Sequence, residues 1–420
     1  MTDSYDELPY RSVPHPDSHP THLAVVGRLL GIPAPDPYRC RVLELGCAAG
    51  GNLIPIAWYL PETECVGIER SARQAEDGNR LIGALGLANC RILAADLRDV
   101  GAELGRFDYV VAHGVFSWVP DEVRASVLGL CRDLLAPNGI AFLSFNTLPG
   151  WRLRGALRDM LLAHCRGVEG TAARLEKAGE LLRFLAAAQA DATDPAAAYV
   201  RQEVRYLLGA HPSYLYHEYL AATNEPLLFR DFATLVQAHG LQYLADATLA
   251  TMFPSTLGPG AEQALAAVDD QVELEQLIDF VRPLLCHAEV EVDREISLER
   301  VQALAFYADL PVLPPLVLDR EEPQDLPLAG GARATVGHPL VKAALDCLAA
   351  RFPASVDFPT LLADAGARVL SAGGGALAAQ ATALATELFS LLAAGAVRAE
   401  PAARDPRPPR ADSPGLNRLC

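Results

Sequence analysis

Lysine is almost missing from this chain of 420 residues: it stands only at positions 177 and 342, so arginine carries nearly all of the positive charge. Basic residues are also outnumbered, 35 against 52 acidic ones, for a formal net charge of −17. A field of that sign repels phosphates, which argues against a protein that grips nucleic acid or anionic lipid by a broad basic surface. The lysine scarcity reads as compositional drift, and no function is drawn from it. No run of eighteen apolar residues occurs, and the opening MTDSYDELPYRS has no basic stretch leading into an apolar one. Neither a membrane insertion nor a secretory leader is expected, and the expected location is cytoplasmic. The nine cysteines, at 40, 47, 65, 90, 131, 165, 286, 347 and 420, include no C-x-x-C pair and no Cys/His cluster at zinc-ligand spacing. Reduced thiols and no metal are expected.

What is present is a globular composition, 51% apolar and 21% charged, in a length that suits two or three compact units. Residues 1–40, rich in Pro, Asp and His, read as an irregular arm with one short helix near His22–Gly31. From Arg41 short apolar runs alternate with helical segments, the pattern of a parallel sheet covered on both faces and hence of an α/β fold. Within 41–150 strands are expected at Val42–Glu44, Glu64–Ile68, Cys90–Ala94, Phe107–Ala112 and Ile140–Phe145. Helices are expected near Gly51–Tyr59, Ser71–Leu85 and Asp121–Leu135, the last ending before Pro137-Asn138-Gly139.

The alternation then stops. Leu153–Cys165, Gly170–Gln189 and Pro195–Leu208 read as consecutive amphipathic helices, an insertion over 151–213 suited to lid, acceptor or homodimer contacts. It resumes over 214–293 with a helix at Phe229–His239, a strand at Leu241–Ala247, a helix at Val272–Leu285 and a strand at His287–Val292. A sheet interrupted after its fifth strand and completed in this order is the methyltransferase version of the Rossmann-like fold. Pro-rich turns follow around Leu310–Pro327 and Ala329-Gly330-Gly331. Over 330–400, helices at Pro339–Arg351, Phe358–Ala365 and Ala376–Ala393 with a strand at Ala396–Ala399 suit a small winged-helix-like domain or a generic helical module. It shows no basic stripe for nucleic acid. Residues 401–420 read as an unstructured tail.

The chemistry concentrates in Glu44-Leu45-Gly46-Cys47-Ala48-Ala49-Gly50-Gly51-Asn52, which follows a strand and precedes a helix. Small residues at Gly46, Ala48 and Gly50 let backbone approach a ligand, and the helix start offers free N–H groups. Taken alone, the loop serves a dinucleotide as well as S-adenosylmethionine. Glu44, two residues before the first glycine, can hold the ammonium of a methionine moiety but would repel a pyrophosphate. Glu69, at the end of the second strand, suits ribose hydroxyls in either ligand. Asp96, after the third strand, is placed for an adenine amine and is the more discriminating acidic station. Together these favour S-adenosylmethionine.

In a doubly wound sheet the ligand lies beyond the carboxyl ends of the strands, so the segments after strands four and five should face the reaction. These are His113-Gly114-Val115-Phe116-Ser117-Trp118 and Asn146-Thr147-Leu148-Pro149-Gly150-Trp151. His113 is the candidate base, as the side chain that titrates near neutrality, and it also borders the cofactor. Tyr5, Tyr10, Phe116, Trp118, Asn146 and Trp151 are candidate pocket residues, the aromatic ones equally suited to core packing. The cluster Tyr214-Leu215-Tyr216-His217-Glu218-Tyr219 suits a pocket wall or a helix face docked on the sheet.

These residues resemble bacterial class I methyltransferases that carry a methyltransferase regulatory domain, the family that includes outer-membrane-protein lysine methyltransferases. The resemblance rests on Tyr5-Asp6-Glu7-Leu8-Pro9-Tyr10 with His19-Pro20, on RVLELGCAAGGNLIPIAWYLP from Arg41, on FDYVVAHGVFSWVPDEVR from Phe107 and on LAPNGIAFLSFNTLPGW from Leu135. It continues in YLYHEYLAATNEPLLFRDFATLVQAHGLQYLADA from Tyr214, in Asp270-Gln271, and in the nine residues from Asp279 to His287. It implies methyl transfer from S-adenosylmethionine to a protein or peptide side chain, a lysine amine foremost. A small-molecule acceptor beneath an insertion lid, and a non-catalytic S-adenosylmethionine sensor, are the competing readings. This chain departs from the family in having Glu69 where Asp is usual, and in a C-terminal region expected to be longer there.

Overall fold

Five apolar runs become the parallel core of the sheet: β1 Arg41–Leu45, β2 Glu64–Glu69, β3 Cys90–Ala94, β4 Phe107–Ala112 and β5 Leu135–Leu143. The structure is a computed structural model and describes residues 4–10, 12–189, 194–253, 280–328, 331, 333–375 and 380–404. β1 pairs in parallel with β2 and β4, β2 with β3, and β4 with β5. Both faces are covered. Val42, Tyr109, Val111 and Phe142 face one apolar cluster, while Leu43, Val110, Ala141 and Leu143 face another. Burial on both sides is why these strands show no alternation. The short helices between them, α3 Leu53–Tyr59, α4 Ala72–Leu85 and α5 Asp121–Leu134, fall where the periodicity puts them, α4 capped by Ser71 and closed by Gly86 in the left-handed region.

Two expected boundaries move. The turn signal Pro137-Asn138-Gly139 does not separate α5 from β5 but lies inside the strand, where the pairing jumps from Phe107 with Leu135 to Tyr109 with Ile140. The extra residues are taken up as a bulge. The second change is larger. Of the expected helix Val272–Leu285, residues 272–279 lie outside the described residues, and the rest is extended: β8 Phe280–Val281 and β9 Pro283–His287. The strand expected at His287–Val292 therefore ends where it was to begin. β9 is buried along its whole length and lies between two other strands, so its apolar run has no alternation to distinguish it from a helix.

β9 runs antiparallel to both of its neighbours, β5 and β7 Leu241–Asp246, and completes a seven-stranded sheet in the order β3-β2-β1-β4-β5-β9-β7. A two-residue strand, β6 Phe145–Asn146, pairs antiparallel with β8 beside it.

The arm forms α1 Ser4–Glu7 and α2 Pro20–Leu29, and α2 buries Leu23, Ala24, Val25 and Val26 against the sheet. A methyl group at Gly27 would stand 2.6 Å from the tip of the Ile140 side chain of β5, which would have to shift to admit it. The insertion forms α6 Leu148–His164, α7 Thr171–Ala188 and α8 Pro195–Gly209, which bury a separate apolar cluster around Leu157, Leu161, Leu182 and Leu207. It ends in one wide, π-helical turn at Leu215–Leu220 whose Tyr216 and Tyr219 join that cluster.

Beyond β9 a strand forms at Ala305–Tyr307, ahead of the expected Pro-rich turns, and Gln324–Pro327 at their end pairs antiparallel with Arg333–Val336. Ala305–Tyr307 is the centre of a three-stranded antiparallel sheet, flanked by Val356–Asp357 and by Arg398–Glu400. Helices Pro339–Arg351, Phe358–Ser371 and Ala381–Ala393 cover it. Residues 376–379 of the last expected helix, Ala329 and Gly330 of the expected turn, and residues 405–420 of the expected tail lie outside the described residues. The C-terminal helices share one continuous apolar cluster with the arm helix and one face of the large sheet. Among the described residues no helix is long and apolar enough to cross a membrane, and no group of three His, Cys, Asp or Glu could hold a metal ion.

Candidate active site

The loop after β1 is shaped by backbone strain that small residues tolerate: φ is +70° at Gly46, +49° at Ala48 and +77° at Gly50. Glu69 closes it from β2, one carboxylate oxygen accepting from Ala48 N at 2.9 Å and the other from Ser71 N at 2.8 Å. Glu44 is buried beside this loop. Its Oε1 accepts from Asn52 Nδ2 at 3.1 Å, whereas its Oε2 is buried with no hydrogen-bond partner among the described residues. Burial pushes the Glu44 carboxyl up to about 8; the Asn52 bond opposes this and the Glu69 charge adds to it. A buried acceptor left unpaired costs free energy, and a ligand ammonium is what would satisfy both the lone pairs and the charge. Asn52 holds Glu44 in place and is itself held, giving a second N–H to Ser18 Oγ at 3.0 Å and accepting from His15 N at 2.8 Å.

Asp96 lies at the third strand end with both oxygens engaged by Arg98: Oδ1 accepts from its backbone N and Nε, and Oδ2 from Nη2 at 2.8 Å. The guanidinium holds the carboxyl down at about 2.

His113 occupies the expected position after β4, but the premise that it titrates near neutrality does not hold. Burial, then His15 and Arg282, push its pKa down to about 3. The His15 ring packs on it at 3.6 Å between centroids, and its Nδ1 lies 3.2 Å from Ser144 Oγ. A neutral imidazole sandwiched in this way positions its neighbours and is a weak proton acceptor.

The candidate pocket residues divide. Phe116 is fully buried, edge-on to Phe232 at 5.5 Å, and is core rather than pocket, because the segment after β4 turns its ring back beneath the sheet. Trp151 is buried and T-shaped against the half-buried Trp118 at 5.7 Å. Asn146 is buried, its backbone N donating to Ser117 Oγ at 2.9 Å and its amide to Asn224 Oδ1 at 3.4 Å. Tyr5 and Tyr10 instead meet the end of the insertion: Tyr5 stacks on His217 at 4.3 Å, and Tyr10 Oη donates to Glu218 at 3.4 Å.

Sequence reasoning missed how the arm is fixed. Asp6 accepts from Ser71 Oγ, Gly51 N donates to Ser12 Oγ at 2.7 Å, and His217 Nε2 lies 2.7 Å from Leu8 O. The arm thus runs from the end of β2 across the loop to Asn52. A Cβ at Gly51 would fall 2.5 Å from Ser12 backbone, so Gly51 serves this crossing as well as the loop. The signal in the sequence was indirect, a glycine pair where the loop alone needs one.

This geometry has counterparts among known proteins. A family described as "Methyltransferase domain" matches residues 43–141, and one described as "Predicted methyltransferase regulatory domain" matches residues 211–283. Uncharacterized protein RP028 of Rickettsia prowazekii is 35% identical over 234 residues, 56% of this chain and 94% of its own. The chain belongs to the class I S-adenosylmethionine-dependent methyltransferases that carry a methyltransferase regulatory domain. Uncharacterized protein RP789 of the same organism is 38% identical over 299 residues, and the chain spans about half of it, 54%, against 70% of this chain. Among solved structures, PKMT2 from Rickettsia typhi superposes with a TM-score of 0.81 at 28% identity, covering 93% of this chain and 77% of that one. PKMT2 in complex with AdoHcy superposes with a TM-score of 0.79. In this methyltransferase the catalytic-domain match takes in β1 to β5, and the regulatory-domain match takes in the wide turn, the helix Phe229–Ala238 and β7.

Proposed function

We propose that this methyltransferase modifies a side chain of a protein or peptide, a lysine amine foremost, with Glu44, Glu69, Asp96 and the loop Gly46–Asn52 holding the cofactor. When bound, S-adenosylmethionine supplies an electrophilic methyl carbon on a sulfonium. The observation that carries the cofactor assignment is the unpaired, buried Oε2 of Glu44 beside a loop of small residues. For the acceptor, support comes from the likeness to PKMT2, which extends over 93% of the chain. The acidic balance of the chain suits a basic protein partner.

The test uses a dialysed, heat-treated bacterial lysate and methyl-labelled S-adenosylmethionine. Label is expected in acid-precipitable protein and, after hydrolysis, in methylated lysine. Label confined to the soluble small-molecule fraction overturns the protein reading, and binding of AdoHcy without any transfer overturns the enzyme reading.

A further inference from the structure

Glu218 sits on the wide turn Leu215–Leu220, a geometry that is rare in helices and concentrated at functional sites. Among the described residues its hydrogen bond is to Tyr10 Oη, at 3.4 Å. The arm carries Tyr10 there under constraint, since Ser12 and His15 are fixed on Gly51 and Asn52 and Asp6 is fixed on Ser71. Residues 7–10 therefore stretch from the cofactor loop to the turn. From the other side Trp118, just after β4, contacts Trp151, which lies 6.2 Å from Tyr219 on the same turn. The turn is thus anchored, through the arm, to the loop after β1 and, through the two tryptophans, to the segment after β4. Two aromatic rings of the arm, Tyr5 and Tyr10, flank His217 next to the Glu218 carboxylate.

The geometry points to Glu218, hydrogen-bonded to Tyr10, as the group that receives a proton from the acceptor's ammonium in a site walled by Tyr5 and Tyr10. This rests on the amine reading above. A lysine side chain is protonated near neutral pH and its nitrogen has no lone pair to share. Once one proton has passed to the Glu218 carboxylate, the nitrogen pair forms the new bond to the methyl carbon. The electrons of the broken carbon–sulfur bond stay on sulfur. Aromatic faces attract the ammonium before it is deprotonated, and a carboxylate beside them balances its charge.

The electrostatics agree with that placement. Burial raises the Glu218 carboxyl to about 7, with the Tyr10 hydrogen bond and the Arg154 charge opposing, so near neutrality it can both accept and release a proton. The charged and titratable groups that interact with it are Tyr10 from the arm, Arg154 from α6 and Tyr214 from the segment just before the turn, while Tyr5 and Tyr206 from α8 act on Tyr10.

The experiment compares wild type with Glu218→Gln, Glu218→Asp and Tyr10→Phe, using heat-treated lysate protein as the acceptor between pH 6 and 9. Glu218→Gln is expected to lower kcat by roughly 100-fold or more and to remove the acid limb near pH 7, while AdoHcy affinity by calorimetry stays within about twofold. Glu218→Asp restores part of the rate together with the limb. In ligand-free protein labelled with ¹³C-glutamate, a carboxyl signal titrating near pH 7 disappears in Glu218→Gln. The Tyr10 bond favours the ionised form, so Tyr10→Phe moves the acid limb to higher pH; this decides the matter if Glu218→Gln does not fold. Retention of the wild-type limb in Glu218→Gln, an unmoved limb in Tyr10→Phe, or loss of AdoHcy binding in proportion to rate overturns the assignment. Wild-type hydrolysates without any methylated amine would instead sink the amine reading itself, and this inference with it. Methyllysine formed by Glu218→Gln at the wild-type rate sinks this inference alone.

Discussion

The two sides of the cleft are built differently. On the reading proposed above, the cofactor side is drawn almost entirely from Glu44 to Glu69, one strand–loop–helix–strand unit whose carboxylates are tied to its own loop and helix start. The acceptor side proposed here gathers Tyr5 and Tyr10, Trp118, Trp151, and His217 and Glu218, the arm reaching the wide turn by contacts that span more than two hundred positions. A site of the first kind is fixed when the sheet folds. One of the second kind also depends on the arm staying in place, so it should respond to changes that leave the cofactor side intact.

The largest expected effect tests the cofactor side alone. Glu44→Gln removes the buried carboxylate proposed to meet the ligand ammonium, and AdoHcy affinity should fall about 100-fold, the upper range for a hydrogen bond to a charged group. Because the free carboxyl is held near 8, binding an ammonium at pH 7 favours its ionised form and expels a proton. Calorimetry in two buffers of different ionisation enthalpy should show that release in wild type and none in the variant. The same shift has a consequence without ligand. The folded state binds the Glu44 proton more tightly than the unfolded chain does, so stability should decline as pH rises from the usual carboxyl range toward 8, and Glu44→Gln should flatten that slope. Unchanged affinity in the variant would remove the carboxylate from the comparison.

Gly51→Ala sharpens it. The new methyl group meets Ser12 backbone at 2.5 Å and should push the arm off the loop. The acceptor KM is expected to rise about tenfold and AdoHcy affinity to drop only about threefold, in line with the loss of one or two hydrogen bonds. Limited proteolysis should then cut within the first twenty residues. If cofactor affinity suffers more than acceptor KM, the arm belongs to the cofactor side. The smallest effect is expected at Asp96→Ala, where AdoHcy affinity should weaken about two- to fivefold, because the exposed Asp96–Arg98 pair already occupies the carboxylate. A loss comparable to that of Glu44→Gln would show that Arg98 gives way when ligand arrives.

The same contrast explains what the sequence could reveal. β1 to β5 and the Gly46–Gly50 loop were legible because a two-sided buried strand, a capped helix and a glycine-rich junction each leave a local pattern. The start of β9 was read as part of a helix because Pro283 to Cys286 is uniformly apolar and buried, with neither face polar. Ala305–Tyr307, three residues long, is a strand only by virtue of partners about fifty and ninety-five residues later. His113 does follow β4 as expected but was judged by its ordinary titration, whereas its environment depends on His15, nearly a hundred residues earlier. Glu218 was noticed only as part of an aromatic run, since nothing local shows that Tyr10 reaches it.

The position of β9 bears on what the word regulatory can mean for residues 211–283. That segment leads directly into a strand lodged between β5 and β7, and Arg282 just before it binds Asp246 through its backbone and Asp17 of the arm through its side chain. A protein truncated after the insertion would leave the β5 edge bare and apolar, and the expected product is an aggregate rather than an unregulated enzyme. The strands that follow the insertion are thus part of the same sheet as β1 to β5, and they cannot come and go without breaking it.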